Sequence, residues 1–285
     1  MASKRLKIFD RPFALSMGPQ RAGTSWLDRY LRTRGDICLP GDVKEVFFFD
    51  RDYERGVAHY AAHFQPEINH TLLMEISTTS FDFAEAPKRV SEVFGQDLML
   101  LCPLRHPVTR SYSLYLHYLH YGLVSGSLQE ACAQNPQIIE SSRYAQHLSN
   151  WLAHYPLEKI KIVFQETLES DQENYIKHVC KALNLPFKQA PEEAKERYNV
   201  TTFSRFGLLA AIAQHAADWF RQRRMYWIIN FAKALGMKKL IFGTEKPDAA
   251  KNAIPSTDKA WLEDQLKGEV EKLETLLGRK IVEWA

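Results

Sequence analysis

Short runs of apolar, β-prone residues recur along the chain, separated by segments whose apolar positions fall at helical spacing. Phe13 to Met17, Thr71 to Ile76, Leu98 to Leu104 and Ile160 to Phe164 are apolar almost throughout, the pattern of strands buried on both faces. Helices are predicted over Asp52 to Phe64, Ala86 to Phe94, Val108 to Tyr121, Ser141 to His154 and Gln172 to Leu183. Strand and helix in alternation predict an α/β fold, a mostly parallel sheet flanked by helices. Sheets of that kind bind ligands beyond the carboxyl ends of their strands. A last helix is predicted from Lys259 to Leu277, with Leu262, Leu266, Val270, Leu273 and Leu277 as one stripe and Gly278 as its stop. No repeat or low-complexity stretch interrupts the pattern, and Pro186 to Pro191 is the nearest thing to a boundary. Residues 1–285 therefore read as a single domain.

The segment 203–242 is less ordinary. Leu208, Ile212, Ala216, Trp219 and Phe220 recur at helical spacing, as do Trp227, Ile228, Phe231 and Leu235, with Arg221, Arg223, Arg224, Lys233, Lys238 and Lys239 interleaved. The plainer reading is a pair of amphipathic helices packed on the domain. The sharper one is a lid over a site, or a surface that meets a membrane or a carrier protein.

Composition narrows the class. A chain of 285 residues that is 45% hydrophobic and 25% charged can build a substantial core as an ordinary globular protein. Its net charge of +3 and lack of a long basic run argue against nucleic acid as a partner. No apolar stretch is long enough to span a bilayer, and the basic N-terminus is followed by no apolar leader core. Cys38, Cys102, Cys132 and Cys180 are scattered without metal-ligand spacing, which predicts buried or idle thiols, a cytoplasmic setting and no metal site.

The first apolar run leads into Gly18-Pro19-Gln20-Arg21-Ala22-Gly23-Thr24-Ser25-Trp26. A strand, a glycine-bounded turn and a helix start form a phosphate-binding loop, in which backbone N–H groups converge on an anion. In the nucleoside-triphosphate version a Lys follows the second Gly. Here Thr24 stands there and the cation comes earlier, as Arg21, which argues against the terminal phosphates of ATP. The second stretch, Leu104-Arg105-His106-Pro107-Val108-Thr109-Arg110-Ser111-Tyr112-Ser113, starts at a predicted strand end, and Pro107 suits the first turn of a helix. Arg105 with Ser113 would suit a second phosphate.

The two stretches together resemble the PAPS-dependent sulfotransferases, the first their 5′-phosphosulfate loop and the second their 3′-phosphate motif. A third, Lys44-Glu45-Val46-Phe47-Phe48-Phe49-Asp50, is similar to the E-P-H-F-F-D segment of heparan-sulfate-type and bacterial carbohydrate sulfotransferases. Arg143-Tyr144, Trp151 and the ending at Trp284 also resemble that group. The resemblance implies a P-loop-type sheet and transfer of a sulfonate from PAPS to a hydroxyl or amine, without metal. It implies cofactor contacts from Gly18, Gln20, Arg21, Ala22, Gly23, Thr24, Ser25, Trp26, Arg105, Ser113 and Tyr144. It gives Glu45 as the base; Arg21 is a candidate to offset the charge as PAP departs, and Lys44, beside the base, to contact a sulfonate oxygen, with a solvated loop lysine as the plainer reading. His117, near His120 on an aromatic helix, is the alternative base, although packing is the plainer role for both. Where heparan-type enzymes carry Lys, His and a C-terminal disulfide, this chain has Ile76, Phe47 and no cysteine after Cys180. The run Phe47 to Phe49 hints at a compact, partly apolar acceptor, with small molecule, glycan and lipid all open. A P-loop kinase or triphosphatase, and a non-catalytic binder of the same fold, are the competing readings.

Overall fold

The computed structural model describes residues 10–41, 43–192 and 253–285, so the predicted segment 203–242 lies outside the described residues. The described residues fall into two compact units, one drawn from residues 10–107, 143–192 and 268–285, the other from residues 108–142 and 253–267.

The first unit is built on a parallel sheet of β1 (Phe13–Ser16), β2 (Ile37–Cys38), β3 (Leu72–Ile76), β4 (Met99–Leu104) and β5 (Ile160–Phe164), in the order β2-β3-β1-β4-β5. Alternate residues of β1 feed opposite faces, as the period of a strand requires: Phe13 and Leu15 join one core cluster and Ala14 the other. On the Phe13 face lie α3 (Ala86–Phe94), through Val90 and Val93, and α7 (Tyr144–Leu152), through Leu148 and Trp151. On the Ala14 face lie α1 (Thr24–Thr33), through Trp26, Leu27, Tyr30 and Leu31, and α9 (Gln172–Ala182), through Tyr175, Ile176 and Val179. The expected α/β fold with a parallel sheet flanked by helices is therefore the one found.

Boundaries differ where a glycine turns the backbone left-handed. The helix expected over Asp52 to Phe64 is a 3-10 turn (Tyr53–Arg55) and a short α2 (Val57–Ala61), divided at Gly56 with φ 78°. The helix expected from Lys259 to Leu277 is two, α10 (Ser256–Gln265) and α11 (Glu269–Leu277), divided at Gly268 with φ 76°. Its stripe is accordingly split: Leu262 and Leu266 belong to the core of the second unit and Leu273 to that of the first. Gly278 ends α11 in the left-handed region, as expected. The two-residue strand β2 escaped prediction because it is too short to show a pattern.

The second unit is helical. It contains α4 (Pro107–His120) from Val108 onward, α5 (Leu128–Gln134), α6 (Gln137–Glu140) and α10. Val108, Tyr112, Leu116, Leu128 and Ile138 pack with Leu262. The Arg110 guanidinium is completely buried there, donating to Ser142 Oγ at 2.6 Å and to the Ile138 carbonyl at 3.0 Å. Arg110→Leu is expected to destabilise the protein by about 1–3 kcal/mol by leaving the carbonyl without its donor, measured as a lower urea midpoint.

Candidate functional site

Chemistry-bearing residues gather beyond the carboxyl ends of the strands. β1 ends at Ser16, and the chain passes through Gly18 before α1 begins at Thr24. Gly18 is required by a close approach: a Cβ there would lie 2.7 Å from Pro103 Cδ and closer still to the Pro103 carbonyl. Pro103, inside β4, has no N–H to offer on the side where Gly18 passes. Gly18→Ala is expected to destabilise the protein by about 1–3 kcal/mol, seen as a lower Tm, because the obstacle is backbone rather than a movable side chain.

The rest of the loop bends by conformation. Arg21 has φ 70° and Gly23 φ 80°, so left-handed residues bracket Ala22. Gly23 is the N-cap of α1, no side chain caps it, and the first turn holds no acidic residue. Such a helix start, with its N–H groups and positive dipole end and no acidic residue in its own first turn, suits an anion. Thr24 is buried, whereas Arg21 and Ser25 are half-buried. The Trp26 ring turns inward instead, stacking on Tyr30 at 5.4 Å and meeting Tyr175 edge-on, so only its backbone faces the loop's business.

The loop after β2 meets this helix start. Lys44 Nζ donates to Thr24 Oγ1 at 3.5 Å and to Glu45 Oε1 at 2.9 Å. The other oxygen of Glu45 accepts from Thr78 Oγ1 at 2.6 Å, and Thr78 follows β3. Three strand ends thus supply one cluster, with a carboxylate held between a cation and a hydroxyl. The loop itself is pinned: Val46 N–H donates to Glu75 Oε1, Arg89 donates to the Phe49 carbonyl, and the Arg51 guanidinium lies 4.3 Å from the Phe47 ring. Phe47 takes φ 59°, uncommon for a bulky side chain. Phe48 and Phe49 are completely buried core residues, so two of the three rings expected to favour an apolar acceptor are committed to the fold. Phe48 stacks on Tyr60 at 4.7 Å and T-packs on Phe49 at 5.1 Å.

Arg105 leaves the end of β4, and its backbone is fixed from two sides. Tyr144 Oη donates to the Arg105 carbonyl at 2.8 Å, and the next residue's N–H, that of His106, donates to Glu166 Oε1 at 2.8 Å. Glu166 also accepts from the Trp284 indole at 2.9 Å. Burial pushes the Glu166 carboxyl upward, while these donors and the Arg105 charge oppose the shift. Ser113 and His117 belong to the second unit, half-buried on α4, and the His117 ring packs against Tyr121 at 4.7 Å. Thr78, Glu75 and Glu166 were missed by sequence reasoning. For Glu75 a signal existed, a carboxylate inside an otherwise apolar strand.

Residues 12–206 match the family model for the sulfotransferase domain. Heparan sulfate glucosamine 3-O-sulfotransferase 6 of Homo sapiens is 33% identical over 186 residues, which cover 61% of this chain and 52% of that protein. The bifunctional heparan sulfate N-deacetylase/N-sulfotransferase 1 of Caenorhabditis elegans is 29% identical over 205 residues, covering 66% of this chain and 24% of that protein. The matched regions thus span between 24% and 52% of these relatives' lengths. A crystal structure of a sulfotransferase from Alicyclobacillus acidocaldarius superposes with a TM-score of 0.68 at 18% identity, covering 97% of this chain and 99% of that one, a likeness of fold. Among the described residues no helix is long and apolar enough to cross a membrane.

Proposed function

Because this chain belongs to the sulfotransferase domain family, we propose that it transfers a sulfonate group from PAPS to a hydroxyl or amine of a small-molecule, glycan or lipid-like acceptor. The observation that carries the reading is the meeting of Lys44 and Glu45 with Thr24 at the uncapped start of α1. A carboxylate held beside an anion-suited helix start is what a transfer between two oxygens needs.

PAPS, when bound, would supply the sulfonate and leave as PAP. The N–H groups of residues 22–25, with the side chains of Arg21, Thr24 and Ser25, would hold the 5′-phosphate and offset the charge that grows on its bridging oxygen. Gly18 and Gln20 shape the entry to that loop. Lys44 would contact a sulfonate oxygen. Glu45 would take the acceptor proton as the acceptor's new bond to sulfur formed and the sulfur–oxygen bond to the phosphate broke. Arg105, its backbone set by Tyr144 and Glu166, would take the 3′-phosphate, and Ser113 remains a candidate from the sequence motif alone. Residues 1–285 would act as one catalytic domain of P-loop type, with His117 as the alternative base.

Calorimetry tests the donor half: PAP should bind without metal, and ATP with magnesium should not bind. Tighter binding of ATP-Mg than of PAP would replace this reading with a kinase or triphosphatase. Arg105→Ala is expected to weaken PAP binding by about 1.5–3 kcal/mol, the loss of a charge-assisted hydrogen bond, in the same calorimeter. A PAPS transfer screen read by mass spectrometry, against glycan, acyl-chain and small phenolic acceptors, tests the acceptor half.

A further inference from the structure

Glu75 is a carboxylate in the middle of the sheet. It lies on β3 opposite Leu15 of β1, fully buried, where a charge has no access to water. Both of its oxygens are engaged. Oε1 accepts from Val46 N–H at 3.2 Å, and Oε2 accepts from Tyr60 Oη at 2.6 Å. Val46 is the residue after Glu45, and Tyr60, also fully buried on α2, stacks on Phe48 of the same loop. The carboxylate therefore grips the loop directly at Val46 and through Tyr60 at Phe48. A residue kept only for packing would be apolar here, like its neighbours Met74 and Ile76, since burying a carboxylate is costly unless it does something a methyl cannot.

We propose that Glu75 is a positioning residue for sulfonate transfer, a strap that holds the Lys44–Glu45 pair against Thr24 at the start of α1. The inference rests on the reading of Glu45 as the base. Glu75 touches neither donor nor acceptor; it acts through the backbone of the residue next to the base. Slack in that strap would let Glu45 drift from the transferred group, and misplacement by an ångström costs about 10²-fold in rate. The ionisable groups that face Glu75 are Tyr60 from α2 and Glu45 and Asp50 from the loop. Both loop carboxylates raise its affinity for a proton, so the strap also registers the charge of the base that it positions.

Two measurements on the full chain test this. Selective 15N-valine labelling follows the Val46 amide across pH: its shift is expected to titrate with a midpoint near 7 in the parent and to stay flat in Glu75→Gln. A Val46 amide that ignores Glu75 overturns the strap. The second measurement is PAP formed from PAPS in a single turnover with water as acceptor, beside calorimetric PAP affinity. Glu75→Leu is expected to slow PAP formation by about tenfold to a hundredfold with PAP affinity unchanged, and Glu75→Gln, whose amide oxygen can still accept from Val46, to recover most of the rate. Parallel loss of rate, PAP affinity and thermal stability in both variants would overturn positioning in favour of a purely structural role. Should Glu75→Leu fail to fold, the titration and Glu75→Gln decide. A parent that forms no PAP sinks the functional reading instead, with the Val46 titration still reporting on the strap.

Discussion

Glu45→Gln is expected to slow PAP formation from PAPS by about 10²–10⁴-fold while PAP affinity stays at the parent value. The substitution is nearly isosteric, and the side-chain oxygen of Gln can still accept from Thr78, so the loop keeps its shape. What it loses is the lone pair that would take the acceptor proton and the charge that holds Lys44 at 2.9 Å. The donor half, built from the loop after β1 and from Arg105, is untouched by the change, which is why binding and rate should separate. Single-turnover mass spectrometry gives the rate and calorimetry the affinity. His117→Ala is the matched control: its ring packs against Tyr121 and Tyr118 on α4, and its loss should leave transfer near the parent rate. If Glu45→Gln turns over normally and His117→Ala does not, the base is His117 and the cluster at Thr24 has another role.

Local signals carried much of the fold. Ile160 to Phe164 and Ala86 to Phe94 were legible to the residue because an apolar run or a helical stripe, closed by Gly95 in one case, is a short-range pattern. The glycine-bounded loop was legible for the same reason, although the need for Gly18 was not. That need comes from Pro103, far along the chain, and shows only when β1 and β4 lie side by side. The division of the last helix was lost because the stripe from Leu262 to Leu277 is continuous in sequence, while Gly268 sends its two halves to different cores. Within the candidate site, Lys44, Glu45 and Arg21 could be named from motif likeness. Thr78 and Glu166 could not, since an ordinary hydroxyl and an ordinary helical acid acquire their roles from partners distant in sequence, Glu45 and His106, that lie beyond the ends of β2 and β4. The Phe47 to Phe49 run misled in its own way: an aromatic run beside a base looks like a substrate wall, but packing on Tyr60 claims Phe48 and Phe49 for the core.

The stability of the protein relative to Glu75→Gln is expected to fall by about 3 kcal/mol as pH rises from 4.5 to 7. Burial is the main cause that raises the Glu75 carboxyl from its ordinary 4.5 to about 7; the hydrogen bonds from Tyr60 and Val46 pull the other way, and the charges of Glu45 and Asp50 add to the rise. The folded protein then holds this proton more tightly than the unfolded chain does. Between the two values it binds more protons than the unfolded state, so stability declines with pH, the contribution being complete below 4.5 and lost by about 7. Burial also raises Glu166, and, outweighing burial, the partners Arg34 and Lys188 lower Asp36; neither is among the groups that shift Glu75, so both drop out of the difference. Asp50, itself raised by burial, interacts with Glu75 and is part of it. Urea unfolding of parent and Glu75→Gln at stepped pH reads it directly. A difference that stays flat across the window would mean that Glu75 is ionised throughout, and that its two donors outweigh its burial. The slope matters for the site because both oxygens of Glu75 are used as acceptors. Protonation makes one of them a donor, which Tyr60 Oη can meet by accepting instead, and leaves the other on the Val46 N–H, the arrangement that Glu75→Gln mimics at every pH.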